Sequence, residues 1–143
     1  MKSSRLKSVP AKLKPLFELA RKSREISYSP YSGHKVGAAI RTLDGTLYGG
    51  CNVENSSYGA TVCAERVAIQ KAVSEGRTRV TDVMVITDAT PPWPPCGMCR
   101  QVIAEFGANA VLHTANLEGK MESFKLAEIF PRAFTPDHLK KKK

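Results

Sequence analysis

Two short segments hold residues whose types and spacing can do chemistry: Cys63-Ala64-Glu65 and Pro95-Cys96-Gly97-Met98-Cys99. Each opens a stretch of good helix formers, and at a helix start the free backbone N–H groups and the positive end of the dipole favour thiolate over thiol. Two cysteines three apart at one helix start can grip a single metal ion, and a third from a neighbouring helix start makes three protein ligands. A tetrahedral zinc held in this way keeps one position open, as catalytic rather than structural zinc sites do. Glu65, on the first helical turn beside Cys63, is displaced from the metal and suits a general acid/base. The competing readings are buried small hydrophobes, or a structural zinc site with Cys51 as fourth ligand. The companion Cys-Ala-Glu segment favours the catalytic arrangement over a lone C-x-x-C. Cys51, among Gly49, Gly50 and Asn52, reads as core packing.

Elements must position these groups, and the hydrophobic periodicity supplies them. Leu13, Leu16, Phe17 and Ala20 fall on one helical face, which predicts a first helix between Pro10 and Tyr28 with Pro15 in its first turn. Val36 to Thr42 and Thr46 to Val53 flank Asp44-Gly45, a hairpin signal. Cys63 to Gly76 and Cys96 to Phe106 read as helices, Val80 to Thr87 and Ala110 to Thr114 as strands, Ala89 to Pro95 as a proline-laden loop, and Lys125 to Phe130 as a short helix. Helices layered on a mixed sheet follow, an α/β fold.

The formal charge is +9, which by itself suggests a polyanionic partner. Its location does not. Eight basic residues against Glu18 lie in positions 1–24, four lysines close the chain from Lys140, and the body from Glu25 to Leu139 has ten basic to twelve acidic residues. The expectation is one domain over residues 1–143 with basic flexible ends at about 1–10 and 139–143, and nucleic acid bound at most non-specifically through those ends. The first ten residues carry charge without an apolar stretch, which reads as no secretory signal, and no run is long enough for a membrane helix. A reducing, cytoplasmic setting then directs the cysteines to metal or catalysis rather than to disulfides.

With these motifs in place, the sequence resembles the small homotetrameric cytidine deaminases of pyrimidine salvage. The resemblance runs through Tyr28-Ser29-Pro30-Tyr31-Ser32, Val36-Gly37-Ala38-Ala39, Asn52-Val53-Glu54-Asn55, the two cysteine segments, and Ile129-Phe130-Pro131-Arg132-Ala133-Phe134. It implies a three-layer α/β/α sandwich around a mixed five-stranded sheet, and hydrolytic deamination of cytidine and 2′-deoxycytidine. It also implies one Zn²⁺ per subunit bound by Cys63, Cys96 and Cys99, with Glu65 shuttling protons. Asn52 and Glu54 would hold the ribose hydroxyls, and Phe134 would reach the site of a neighbouring subunit, so that active sites are shared in the tetramer. In isolation Asn52 and Glu54 read equally as a loop-capping amide and a solvated carboxylate.

Three thiolates on Zn²⁺ leave a formal site charge of −1, which the helix N-termini and a hydrogen bond from Arg66 to a thiolate would offset; the same spacing also suits a plain surface arginine. Gln101 is a candidate supporting partner. The family has an aromatic residue where this chain has His34, so either a pH-sensitive contact to the base or a turn histidine stands there. Pro94 replaces a common Ser or Thr but keeps the carbonyl, and Trp93 is either a lid or loop packing. His113 and His138 receive no role. Two further functions compete: the same chemistry on an antibiotic or a polymer cytosine, and a non-catalytic zinc-stabilised nucleic-acid module. The ribose pair argues against a polymer substrate, and Glu65 against the non-catalytic module.

Overall fold

The computed structural model describes residues 6–140. Two-residue β1 (Lys7–Ser8) and a 3₁₀ turn (Ala11–Leu13) lead into α1 (Lys14–Arg24), and the hairpin β2 (Gly37–Thr42) and β3 (Leu47–Cys51) follows. Then come α2 (Ala64–Ser74), β4 (Val80–Ile86), α3 (Gly97–Phe106), β5 (Val111–Ala115), β6 (Lys120–Lys125) and α4 (Leu126–Ile129). The sheet order is β1-β6-β5-β4-β2-β3. Only β4 and β5 run parallel, joined through α3; every other pair is antiparallel.

The α/β expectation holds, but the sheet has six strands and not five. The sixth is β1, which pairs Lys7 with Met121 and Ser8 with Lys120 at the edge. Its two residues are exposed, so no apolar pattern marks it, and backbone pairing alone holds it. It also ties down part of the segment expected to be flexible at the N-terminus; residues 1–5 and 141–143 of the basic ends lie outside the described residues. The pattern reading likewise passed over β6, whose charged residues blur its alternation. The first helix is shorter than expected because the 3₁₀ turn takes its start and Glu25 closes it; Pro15 does sit in the first turn.

Alternation along the strands divides the core between two faces. Ala39, Met84, Ile86, Ala115 and Met121 meet Leu13, Leu16, Phe17 and Ala20 of the N-terminal helical segment. Ile40, Val83, Val85 and Leu112 face the opposite way, onto Ala68, Ile69 and Ala72 of α2 and Ile103 and Ala104 of α3. Gly50 lets α2 approach closely, since a Cβ there would lie 2.6 Å from the Ala64 carbonyl oxygen and 2.7 Å from the Ala68 nitrogen. That contact seats the first turns of the helix that begins at Cys63. Among the described residues, no helix is long and apolar enough to cross a membrane.

Candidate active site

Cys63 and Cys96 occupy the N-cap positions of α2 and α3, each with extended backbone, and Cys99 sits within the first turn of α3. Neither N-cap side chain caps its own helix, so both thiols stay free to meet. Cys63 Sγ lies 3.8 Å from Cys96 Sγ, which lies 3.4 Å from Cys99 Sγ, and all three sulfurs fall within 4.8 Å of one another. Zn–S bonds of about 2.3 Å in a tetrahedron set ligand sulfurs about 3.8 Å apart, so the donor set fits one zinc ion. Cys51 is elsewhere, its Sγ directed at the Ile26 carbonyl at 3.7 Å.

The electrostatics of the cluster are uneven. Arg66 donates from Nη2 to Cys63 Sγ at 3.4 Å, the first of its two readings, while its buried Nε has no partner among the described residues. The Cys63 thiol is drawn down to about 5, first by a hydrogen bond shared with Cys99 and then by Arg66, against the opposing effect of burial. Cys99, buried and sharing its proton with Cys63, is pushed up. Glu65 is 4% exposed, and burial raises its carboxyl to about 7, where one group can both take and give a proton near neutral pH.

Glu65, Cys63 and Cys96 line a cavity of about 190 Å³ together with Asn52, Thr87 and Trp93. That is below the roughly 300–1,000 Å³ of a drug-sized pocket and suits a single small ring. A second, shallower depression holds Glu54, Tyr31, Ser32 and Tyr58, and Thr61 walls both. The structure therefore brings Asn52 to the thiol cluster and Glu54 to the adjoining depression. The intervening Val53 bridges Tyr28 and Val62 and points out.

Both polar groups also shape the loop around them. Asn52 Oδ1 accepts the Val36 N–H at 3.0 Å and the Ser27 hydroxyl, and its Nδ2 donates to the His34 carbonyl at 2.8 Å, which leaves one amide hydrogen over. Glu54 Oε1 accepts the Tyr31 and Ser32 N–H groups at 3.0 and 3.1 Å, and the Ser32 hydroxyl donates to Oε2. The Ser32 hydrogen bond is the main reason the Glu54 carboxyl is held below its ordinary range.

Phe134 is not in either depression. The residue is 55% exposed, and its ring stacks on His138 with centroids 5.2 Å apart. Gln101 holds this segment by donating to the Phe134 carbonyl at 2.8 Å, rather than touching the thiols. His34 packs edge-on against Trp93, 5.3 Å between centroids, and Trp93 walls the cavity. Sequence reasoning passed over Thr61, Thr87 and Arg100. Arg100 donates to the carbonyls of Pro95 at 2.8 Å and Ile129 at 2.7 Å, locking the cysteine loop to the C-terminal segment. Its place directly after Cys99 was the available signal.

Fold and thiol cluster together define a zinc-binding α/β enzyme. A family model for the cytidine and deoxycytidylate deaminase zinc-binding region matches residues 10–115. The cytidine deaminase of Halalkalibacterium halodurans is 45% identical over 125 residues, covering 87% of this chain and 95% of that protein. That of Sporosarcina psychrophila is 46% identical over 121 residues, 84% and 89% of the two chains. A crystal structure of the cytidine deaminase from Burkholderia pseudomallei superposes with a TM-score of 0.81 at 38% identity, covering 88% of this chain and all of that one. The chain belongs to the cytidine deaminase family.

Proposed function

We propose that this protein hydrolyses cytidine and 2′-deoxycytidine at C4 of the base, consuming water and releasing ammonia to leave the uridines, as a cytoplasmic enzyme of pyrimidine salvage. The observation that carries this is the convergence of three thiols and one buried carboxylate on a cavity the size of a single ring. Cys63, Cys96 and Cys99 hold one zinc ion, which supplies a Lewis acid and a means of activating water at neutral pH.

The chain's own residues do the rest. Glu65, held by burial near neutrality, takes one proton from the attacking water and delivers it to N3 of the base, then takes the remaining proton of the hydroxyl now bonded to C4 and delivers it to the departing amino group. Arg66 balances the charge of the thiolates through Cys63. Val36, Trp93 and Pro94 enclose the base and limit its access to bulk water. Asn52, with one amide hydrogen free, and Glu54, kept anionic by its Ser32 hydrogen bond, receive the ribose hydroxyls in the adjoining depression. A polymer would have its 3′ and 5′ oxygens esterified, so the pair favours a free nucleoside.

The exposed Phe134 ring, presented outward by the Gln101 anchor, reaches a neighbouring subunit's site in a homotetramer with shared active sites. Residues 1–143 form one domain whose basic ends take no part in the reaction. The ultraviolet absorbance of cytidine, followed with and without a chelator and beside a cytosine oligonucleotide, tests the reading. Chelator-sensitive turnover of cytidine alone is expected. Turnover of the oligonucleotide alone, or of neither, would overturn it. Native mass tests the tetramer.

A further inference from the structure

At the other end of β4, away from the thiols, a second group of polar side chains is assembled with the connectivity of an activated nucleophile. Asp82 shares the α1-facing side of β4 with Met84 and Ile86; His113 lies opposite Met84 on β5, and Ser123 opposite His113 on β6. Three adjacent strands thus line up Asp82, His113 and Ser123 without any of the three being near another in sequence. His113 Nε2 is 3.0 Å from Asp82 Oδ1 and Nδ1 is 2.7 Å from Ser123 Oγ. His113 is 5% exposed, the Asp82 side chain 18%, and Ser123 is open to the surface. Arg41 holds Asp82 from the far side at 3.5 Å and also donates to the Lys12 carbonyl at 3.2 Å.

The direction of the hydrogen bonds follows from charge. His113 keeps the Asp82 carboxyl below its ordinary range, with Thr81 and Arg41 acting in the same sense. An ionised Asp82 must accept the Nε2 hydrogen, so in the neutral ring the lone pair on Nδ1 faces the Ser123 hydroxyl. Base, orienting carboxylate and exposed hydroxyl are then in the order a serine nucleophile requires. The two ring nitrogens are exchanged relative to the usual protease arrangement, which leaves the proton transfer unchanged.

His113 and Ser123 also line a cavity of about 730 Å³, whose walls include Lys7, Lys12, Glu122 and Glu128. This volume lies within the range of small-molecule sites. Its two lysines and two glutamates leave the lining formally balanced, which suits an uncharged ester.

We propose that Ser123, His113 and Asp82 form a second reactive site, distinct from the deaminase centre, that takes acyl groups from small esters. The Ser123 oxygen bonds to the ester carbonyl carbon and its proton passes to His113 Nδ1. The carbon–oxygen bond to the alcohol breaks, and that alcohol leaves with the proton. Water then attacks the acyl-serine, again with His113 as base, to release the acid and restore the hydroxyl. A fluorophosphonate traps the first step by exchanging its fluoride for the serine oxygen.

The test uses the zinc-loaded protein with a fluorophosphonate and with p-nitrophenyl acetate. Expected is one phosphonyl group per chain, mapped to Ser123, unaffected by chelator and absent from Ser123→Ala, whose cytidine turnover stays at the wild-type level. Ester hydrolysis falls to background in the same variant. His113→Gln and Asp82→Asn slow labelling, the former by about 10²–10⁴-fold as a lost general base does. Wild-type protein that carries no adduct on Ser123, or Ser123→Ala that hydrolyses the ester as fast as wild type, overturns the proposal, and neither result depends on a variant that disturbs the buried histidine. Because labelling is read with chelator and without cytidine, its outcome is separate from that of the deaminase reading.

Discussion

The two ends of β4 meet two polar clusters that are built by different means. At its C-terminal end the thiols and Glu65 are carried on the first turns of α2 and α3, so within each helix start the partners lie within three residues along the chain, and the helix start supplies part of the electrostatics. At its N-terminal end Arg41, Asp82, His113 and Ser123 come one from each of four strands, and only cross-strand register brings them together. A helix-borne cluster is a local feature that survives as long as its two helices dock. A register-borne cluster exists only because the whole sheet is in place, so it contributes to the stability of that sheet as well as to any chemistry.

The comparison can be broken first at the thiols. Cys99→Ala removes a buried sulfur that the other two cannot replace, and metal analysis is expected to find zinc falling from one per chain to near zero, with cytidine turnover lost. Retained zinc would move the ligand set elsewhere. Arg66→Ala is a milder change to the same cluster. It leaves all three sulfurs but removes the hydrogen bond to Cys63, and about a 10–100-fold loss of zinc affinity or turnover is expected, measured by competition with a chromophoric chelator.

The register-borne cluster is expected to respond in stability and with a defined pH dependence. Asp82 has a folded pKa below its ordinary value of 3.8, first because of His113. Its contribution is therefore present above that ordinary value and is lost as pH falls through the lowered folded pKa. Asp82→Asn is expected to cost about 1–3 kcal/mol in denaturant unfolding at neutral pH. The difference from wild type should shrink as pH falls below the ordinary carboxyl value of 3.8. A pH-independent difference would mean that packing, not charge, is what Asp82 supplies.

This division also explains how much was legible from the chain alone. Cys63, Glu65, Cys96 and Cys99 carry their meaning in short spacings, and Leu13, Leu16, Phe17 and Ala20 in a 3.6-residue period, so the thiol cluster and most elements could be read before any coordinates. Asn52 and Glu54 were legible as a pair two residues apart, but not their commitments to Ser27, Val36, His34 and Ser32, which arise from a loop closing on a strand end. His113 had no readable partner because Asp82 and Ser123 lie 31 and 10 residues away and meet it only through register. β1 was unreadable because two exposed residues held by backbone pairing carry no side-chain pattern.

The central claim is that the buried carboxyl beside the thiols moves the protons of deamination without holding the metal. Glu65→Gln keeps the shape and removes the charge, so zinc content and kcat for cytidine measured on the same preparation test it directly. One zinc per chain with kcat lower by about 10²–10⁴-fold is the expected result. Near-normal kcat with zinc still bound would contradict it.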